Sequence, residues 1–133
     1  MKIIIPGEPR GKQRPRFNRK TGTTYTPTET AQYEEMVRLI AKAAYHCKPI
    51  EGPVQVMVTG MYKIPESTTK ERRRKMQLGL VFPEVKPDID NVAKIILDAL
   101  NGIVYKDDKQ VVELAVKKFY DTSPRVIVEV ETV

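Results

Sequence analysis

Apolar residues in this chain fall into short runs with two different periods. Ile3, Ile4 and Ile5 are followed at once by Pro6-Gly7, so residues 1 to 5 read as a strand that a turn ends. Val54, Val56 and Val58 alternate with Gln55, Met57 and Thr59, the two-residue period of a strand with one buried face. Val92, Ile95, Ile96, Ala99 and Leu100 recur instead at helical spacing, and Asn101-Gly102 supplies residue types that end helices. A helix is therefore expected from about Asp90 to Asn101. Another is expected over about residues 28 to 46, opened by Thr28-Glu29-Thr30 and carrying Ala31, Val37, Leu39, Ile40, Ala43 and Ala44. A short basic helix over residues 66 to 79 has capping hydroxyls in Ser67-Thr68-Thr69. Residues 103 to 105, 110 to 120 and 125 to 130 are rich in β-branched side chains and read as strands between turn-like breaks.

Strands and helices mix here without strict βαβ alternation, which predicts an α+β domain with a small mixed sheet packed by two to three helices. The 133 residues are too few for two independent cores, so residues 1–133 are read as one domain. No apolar run approaches the roughly 18 residues that span a bilayer, and Pro6-Gly7 interrupts the opening run before it reaches signal-peptide length. The expectation is a cytoplasmic protein without a membrane partner. A single cysteine, Cys47, excludes an internal disulfide, and one histidine, His46, leaves too few soft ligands for a structural zinc site. Neither a G-x-S-x-G elbow nor a Walker loop is present, so no nucleotide cofactor is expected. Any catalysis must rest on carboxylates, lysine or arginine.

Charge is unevenly distributed. Residues 1 to 61 hold 10 basic and 5 acidic side chains, residues 62 to 86 hold 7 and 3, and residues 87 to 133 hold 6 and 9. Arg10, Lys12, Arg14, Arg16, Arg19 and Lys20 fall in eleven residues with no acid among them, interrupted by Pro15 and Phe17. That segment, running to about Pro27, reads as a polyanion-binding loop, and Arg72, Arg73 and Arg74 form a second basic cluster. Six cations engaged with phosphate give a log-log salt slope of roughly −5.

The acidic third of the chain carries the candidate chemistry. Asp88 and Asp90 are two apart where an extended segment becomes a helix, so both carboxylates can face one point. Two such charges about 4 Å apart repel by roughly 4 kcal/mol at an effective dielectric of 20, and a divalent cation offsets this well. Hard oxygen donors suit Mg²⁺, with Mn²⁺ in its place, better than zinc or copper. Lys94 lies one helical turn beyond Asp90, placed to pair with it or to reach a phosphate oxygen. Asp107 and Asp108 offer a third carboxylate from a turn, and Asp98 continues the Lys94 face in a supporting position. The bland alternative makes Asp90 a helix cap, Asp88 a turn residue and Lys94 half of a surface ion pair.

The whole pattern resembles the RusA family of Holliday-junction resolvases. The resemblance rests on Lys86-Pro87-Asp88-Ile89-Asp90-Asn91-Val92-Ala93-Lys94, on Leu97-Asp98-Ala99-Leu100-Asn101-Gly102 and on Tyr105-Lys106-Asp107-Asp108-Lys109-Gln110-Val111. Pro6-Gly7 to Phe17, and Thr24-Tyr25-Thr26-Pro27 with the helix after it, extend it over nearly the whole chain. It implies a small, dimeric, Mg²⁺-dependent endodeoxyribonuclease of a bacterium or its phage that nicks branched DNA, four-way junctions above all. In it, Asp88 and Asp90 match the metal-binding acids, Lys94 the catalytic lysine and Asp108 the third acid, with Asp107 the fallback. Some members carry arginine directly before the first aspartate, whereas Pro87 stands there in this chain and Lys86 comes one earlier. The rival readings are a junction-binding protein that does not cut, a less selective Mg²⁺-dependent nuclease, and a D-x-D sugar transferase.

Overall fold

In the computed structural model, residues 1–25 and 27–133 are described; Thr26, within the Thr24 to Pro27 run, lies outside them. Strands β1 (Lys2–Pro6), β4 (Val54–Lys63), β5 (Val111–Asp121) and β6 (Arg125–Thr132) form one mixed sheet in the order β1-β6-β4-β5. β6 runs antiparallel to both β1 and β4, whereas β4 and β5 are parallel. Parallel neighbours need a crossover, and the chain between β4 and β5 supplies it with α2 (Lys70–Gln77) and α3 (Ile89–Leu100). Helix α1 (Thr28–Ala44) precedes β4. The expected α+β domain, a small mixed sheet packed by two to three helices, is what the chain forms, with four strands in the sheet and three α-helices among the described residues.

The alternation in β4 buries Val54, Val56 and Val58, and the same period in β6 buries Val126, Val128 and Val130. Against this face lie Val92, Ile95, Ile96, Ala99 and Leu100 of α3, all buried as their helical spacing predicts. Helix α1 packs on α3 and β1. Its buried stripe is Thr30, Tyr33, Val37 and Ala41, while Leu39 is exposed. Of the apolar positions expected to anchor α1, Val37 is in the core and Ile40 packs against it. Counting apolar residues alone overlooked Tyr33 and Thr30, which share the Val37 face three to four residues apart. Nor does Thr28-Glu29-Thr30 cap the helix: the N-cap position is Pro27, without a side-chain bond. Arg38 of α1 donates to the Ala99 and Asn101 carbonyls at 3.1 and 3.2 Å, placing a cation on the C-terminal end of α3, where helix carbonyls lack partners.

Three other boundaries differ from expectation. The basic loop contains a two-stranded hairpin, β2 (Arg16–Asn18) and β3 (Thr23–Tyr25), closed by Gly22 at a positive φ of 70°. The basic helix begins at Lys70, where the Thr69 side chain accepts from the Arg72 amide, instead of at residue 66. Residues 103 to 105 form no strand: Ile103 and Val104 turn back onto Leu100, and Tyr105 makes isolated bridges to Ile50 and Asn101. They are buried nonetheless, which is why their β-branched composition read as a strand. Among the described residues, no helix is long and apolar enough to cross a membrane.

Candidate active site

Three elements fix the start of α3. The Tyr62 hydroxyl of β4 donates to the Pro87 carbonyl at 2.8 Å, and Lys118 of β5 donates to the Val85 carbonyl at 2.7 Å. From the other side the basic arm closes in: the Lys12 amide bonds the Asn91 carbonyl at 2.9 Å, and Gly11 lies flat on Pro87 and Asn91. A Cβ on Gly11 would stand 2.8 Å from the Pro87 Cβ and 2.9 Å from that of Asn91, so only glycine fits without displacement. The Lys86–Pro87 peptide is cis.

Asp88 occupies the N-cap position, yet its side chain makes no capping bond. Its carbonyl alone starts the helix, accepting from the amides of Asn91 and Val92, both at 3.1 Å. Asp90 follows in the first turn, and both aspartates are exposed. Lys94, spaced to pair with Asp90, bonds Asp98 instead at 3.2 Å. Among the described residues no ion pair reaches Asp88 or Asp90. The Asp88 charge is felt at the Tyr62 phenol, whose pKa is pushed up to about 12 by burial first and by that carboxylate second. The positive end of the α3 dipole favours such anions by about 0.3 to 1 kcal/mol, less than their mutual repulsion at close range.

A second group of charges gathers one to two turns further on. Asp98 takes Lys94 on Oδ1 and Lys12 on Oδ2, the latter at 3.4 Å, and Lys12 also pairs with Glu34 of α1. Burial pulls Lys12 toward neutrality, but the bonds and charges of Glu34 and then Asp98 outweigh it and raise its pKa above the usual lysine value. Asp108 joins this group from the turn before β5. Its pKa is raised, first by burial, then by the hydrogen bond and charge of Asp107 and the charge of Asp98, with Lys94 opposing. Asp107 does a different job: it caps the short 3-10 helix Asp108–Gln110 by accepting from the Lys109 amide at 2.9 Å, and that bond foremost lowers its pKa.

The turn is held by two residues that sequence reasoning missed. Gln110 accepts from the amides of Lys106 and Asp107 at 2.9 and 3.0 Å and donates to the carbonyls of Ile50 and Gly52, both at 2.8 Å. Tyr105, fully buried, donates to the Leu97 carbonyl of α3 at 2.8 Å and seats the turn against the helix. The D-x-x-Q spacing from Asp107 to Gln110 is a capping-box signal that would have found the first. Gln110→Ala should cost about 2 kcal/mol, since four modest bonds are lost and water replaces part of them; urea denaturation measures it.

Asp108→Asn should have the opposite sign. A carboxyl whose pKa is higher folded than unfolded opposes folding once ionised, so its cost is absent below the ordinary value of 3.8 and present in full above the raised one. In chelator at pH 7 the Asn variant should therefore melt higher than the parent, and the difference should close below about pH 3.8. Thermal scans at the two pH values decide it.

The cations of the arm divide into two sets. Arg14, Arg16, Arg19 and Lys20 are exposed, and none forms an ion pair among the described residues; Phe17 and Tyr25 of the hairpin are exposed beside them. Arg10 pairs loosely with Glu29 at 3.6 Å, and Lys12 is committed to Glu34 and Asp98. On α2, Arg72 and Arg74 are exposed, while Arg73 donates to the Pro65 carbonyl at 3.2 Å.

The oxygen donors suit a hard divalent cation in kind, and Asp88 and Asp90 have no protein cation to displace. Among the described residues, however, no three His, Cys, Asp or Glu side chains are gathered closely enough to hold a metal. Asp108 counts Asp98, Asp107 and Lys94 among its charged neighbours, not Asp88 or Asp90.

The site thus joins two acids that form no ion pair among the described residues to a cationic arm rooted on the same helix. The family model of the endodeoxyribonuclease RusA matches residues 6–131, and the chain belongs to that family of DNA-cleaving hydrolases. It is 37% identical to the uncharacterized protein YqaN of Bacillus subtilis (strain 168), covering 100% of this chain and 96% of the relative. It is also 28% identical to the crossover junction endodeoxyribonuclease rusA of Lactococcus phage r1t, over 82% of this chain and 77% of the phage protein.

Proposed function

We propose that the protein is a Mg²⁺-dependent endonuclease that resolves four-way DNA junctions by paired nicks, acting as a homodimer in recombination and repair. The observation that carries this reading is that Asp88 and Asp90 stand together at the start of α3 and neither caps the helix nor pairs with a cation among the described residues. Ordinary turn and cap aspartates would use their oxygens locally. Mg²⁺ is commonly held by one or two carboxylates together with substrate phosphate, so Asp88 and Asp90 are a sufficient protein share; Asp108, grouped with Asp98, Asp107 and Lys94, would join them as the third acid only once metal and DNA draw the two groups together. When bound, the metal supplies a polarised phosphate and an activated water.

The protein's own groups do the rest. The exposed cations of the arm and α2 draw in the DNA backbone, and phosphate contacts of this kind set position without reading sequence. Because residues 11 and 12 are fixed to Pro87 and Asn91, DNA held by the arm is carried to the start of α3. Lys94 gives one bond to Asp98 and keeps two donors for a non-bridging phosphate oxygen. Lys94, anchored on Asp98, meets the phosphate as a hydrogen-bond donor at the open edge of α3. Asp107, used as a cap, is the lesser candidate for the third acid.

A four-way junction has approximate two-fold symmetry, which a two-fold homodimer with one site per subunit matches. A supercoiled plasmid carrying an extruded cruciform tests the pairing. Linear product from one encounter supports it; nicked circle as the sole product would leave a nuclease that does not pair its cuts.

A further inference from the structure

Lys12 lies in the middle of the basic arm, yet it is the one arm cation turned inward. Its ammonium bridges Glu34 on α1 and Asp98 on α3, its side chain is 24% exposed, and its amide bonds the Asn91 carbonyl. Arg14 and Arg16, two and four residues on, are exposed by comparison. A lysine held by two partly buried carboxylates has little left to offer a phosphate. Its two partners are also unequal: among the described residues Glu34 forms an ion pair with Lys12 alone, whereas Asp98 shares its other oxygen with Lys94.

We propose that Lys12 and Asp98 are positioning residues for Lys94, so that Lys12 serves the cleavage step and not DNA affinity. Lys94 is 61% exposed, and a lysine so placed samples many rotamers unless something holds its head. Asp98, at 19% exposure, is the anchor, but its charge and that of Asp108 act on each other, and with Lys94 alone as partner the carboxylate would be pushed by that repulsion. Lys12 on its second oxygen removes the repulsion and fixes the carboxylate plane. Lys12, Glu34, Asp98 and Lys94 then form a neutral quartet joining the arm, α1 and α3, with the Lys94 head at its open end. A chain segment whose other cations attract DNA thereby also sets the group that meets the scissile phosphate.

The inference rests on the nuclease reading and on Lys94 acting in it. The test measures junction affinity in chelator and, separately, single-turnover cleavage in Mg²⁺ with protein saturating, for the parent, Lys12→Met, Lys12→Arg, Lys94→Ala and Lys12→Met combined with Lys94→Ala. Lys12→Met is expected to change affinity less than about threefold while cutting the saturated rate at least tenfold; arginine, which also bridges two carboxylates, should restore most of it. The combined variant should be no slower than Lys94→Ala, because residues acting through one group are not additive. A merely structural role would slow the combined variant further and lower its melting temperature in step. Lys12→Met that loses affinity but cleaves normally at saturation would overturn the proposal and return Lys12 to phosphate binding. A parent protein that binds junctions and never cuts them would instead overturn the nuclease reading on which it stands.

Discussion

Asp90→Asn is expected to abolish junction cleavage, with a loss on the order of 10³-fold or more, while junction binding is retained or tightened. The two halves of this result have separate causes. Asparagine keeps the size of the side chain and one carbonyl oxygen, so the first turn of α3 is undisturbed; Asp90 makes no bond that folding needs among the described residues. What is lost is a negative charge at the point where a divalent cation would meet the phosphate. Without that cation the aspartate only repels DNA, so its removal lowers repulsion. Binding measured in chelator and cutting measured in Mg²⁺ separate the two effects, and cutting preserved in the variant would remove Asp90 from the site. Asp88→Asn should behave in the same way, since its side chain caps nothing.

The second large effect is on the salt dependence of binding. Reading the arm as six independent phosphate contacts gives a slope of roughly −5, but the structure commits Lys12 to carboxylates and leaves Arg10 loosely paired. Arg14, Arg16, Arg19 and Lys20 remain, for an arm contribution of about −3.6, or a loss in affinity of roughly 150-fold between 50 and 200 mM salt. Neutralising Arg14 and Arg16 together should flatten the slope by about 2 and weaken binding across DNA sequences alike. An unchanged slope would mean that the arm does not touch the backbone. The same titration on Lys12→Met should leave the slope near the parent value, which sets that residue apart from its neighbours.

Much of this molecule is legible from sequence because its core elements have clean periods. The helix of Val92, Ile95, Ile96, Ala99 and Leu100 and the strand of Val54, Val56 and Val58 bury the faces their spacing predicts. What was not legible depends on contacts between distant segments. Ile103, Val104 and Tyr105 are β-branched or aromatic and buried, and burial alone does not distinguish a turn folded onto a helix from a strand. The α1 stripe runs through Thr30 and Tyr33, which a purely apolar count skips. The hairpin inside the arm had a local signal in Gly22 between two short strand-like triplets, masked by the density of charge around it.

The candidate site was legible in part for the same reason. Asp88, Asp90 and Lys94 are local to one helix, and the start of that helix lies where the spacing puts it. The spacing allows Lys94 to pair with Asp90 or to reach a phosphate oxygen, and it bonds Asp98; the helix offers an acid four residues away in either direction, and only the fold brings Lys12 to one of them. Asp108 stands among Asp98, Asp107 and Lys94, a grouping set by the turn that Gln110 and Tyr105 hold against α3. Nothing in the spacing of the chain conveys that Lys12 faces inward while its neighbours face solvent.

The measurement that bears most directly on the account is cleavage of an end-labelled immobile four-way junction mixed with an equal amount of linear duplex, in Mg²⁺ or in chelator, by the parent protein and by Asp90→Asn. The account predicts symmetric nicks in the junction alone, present in Mg²⁺ and absent both in chelator and in the variant. Tight junction binding with no nicks in Mg²⁺, or nicks that persist in the variant, would contradict it.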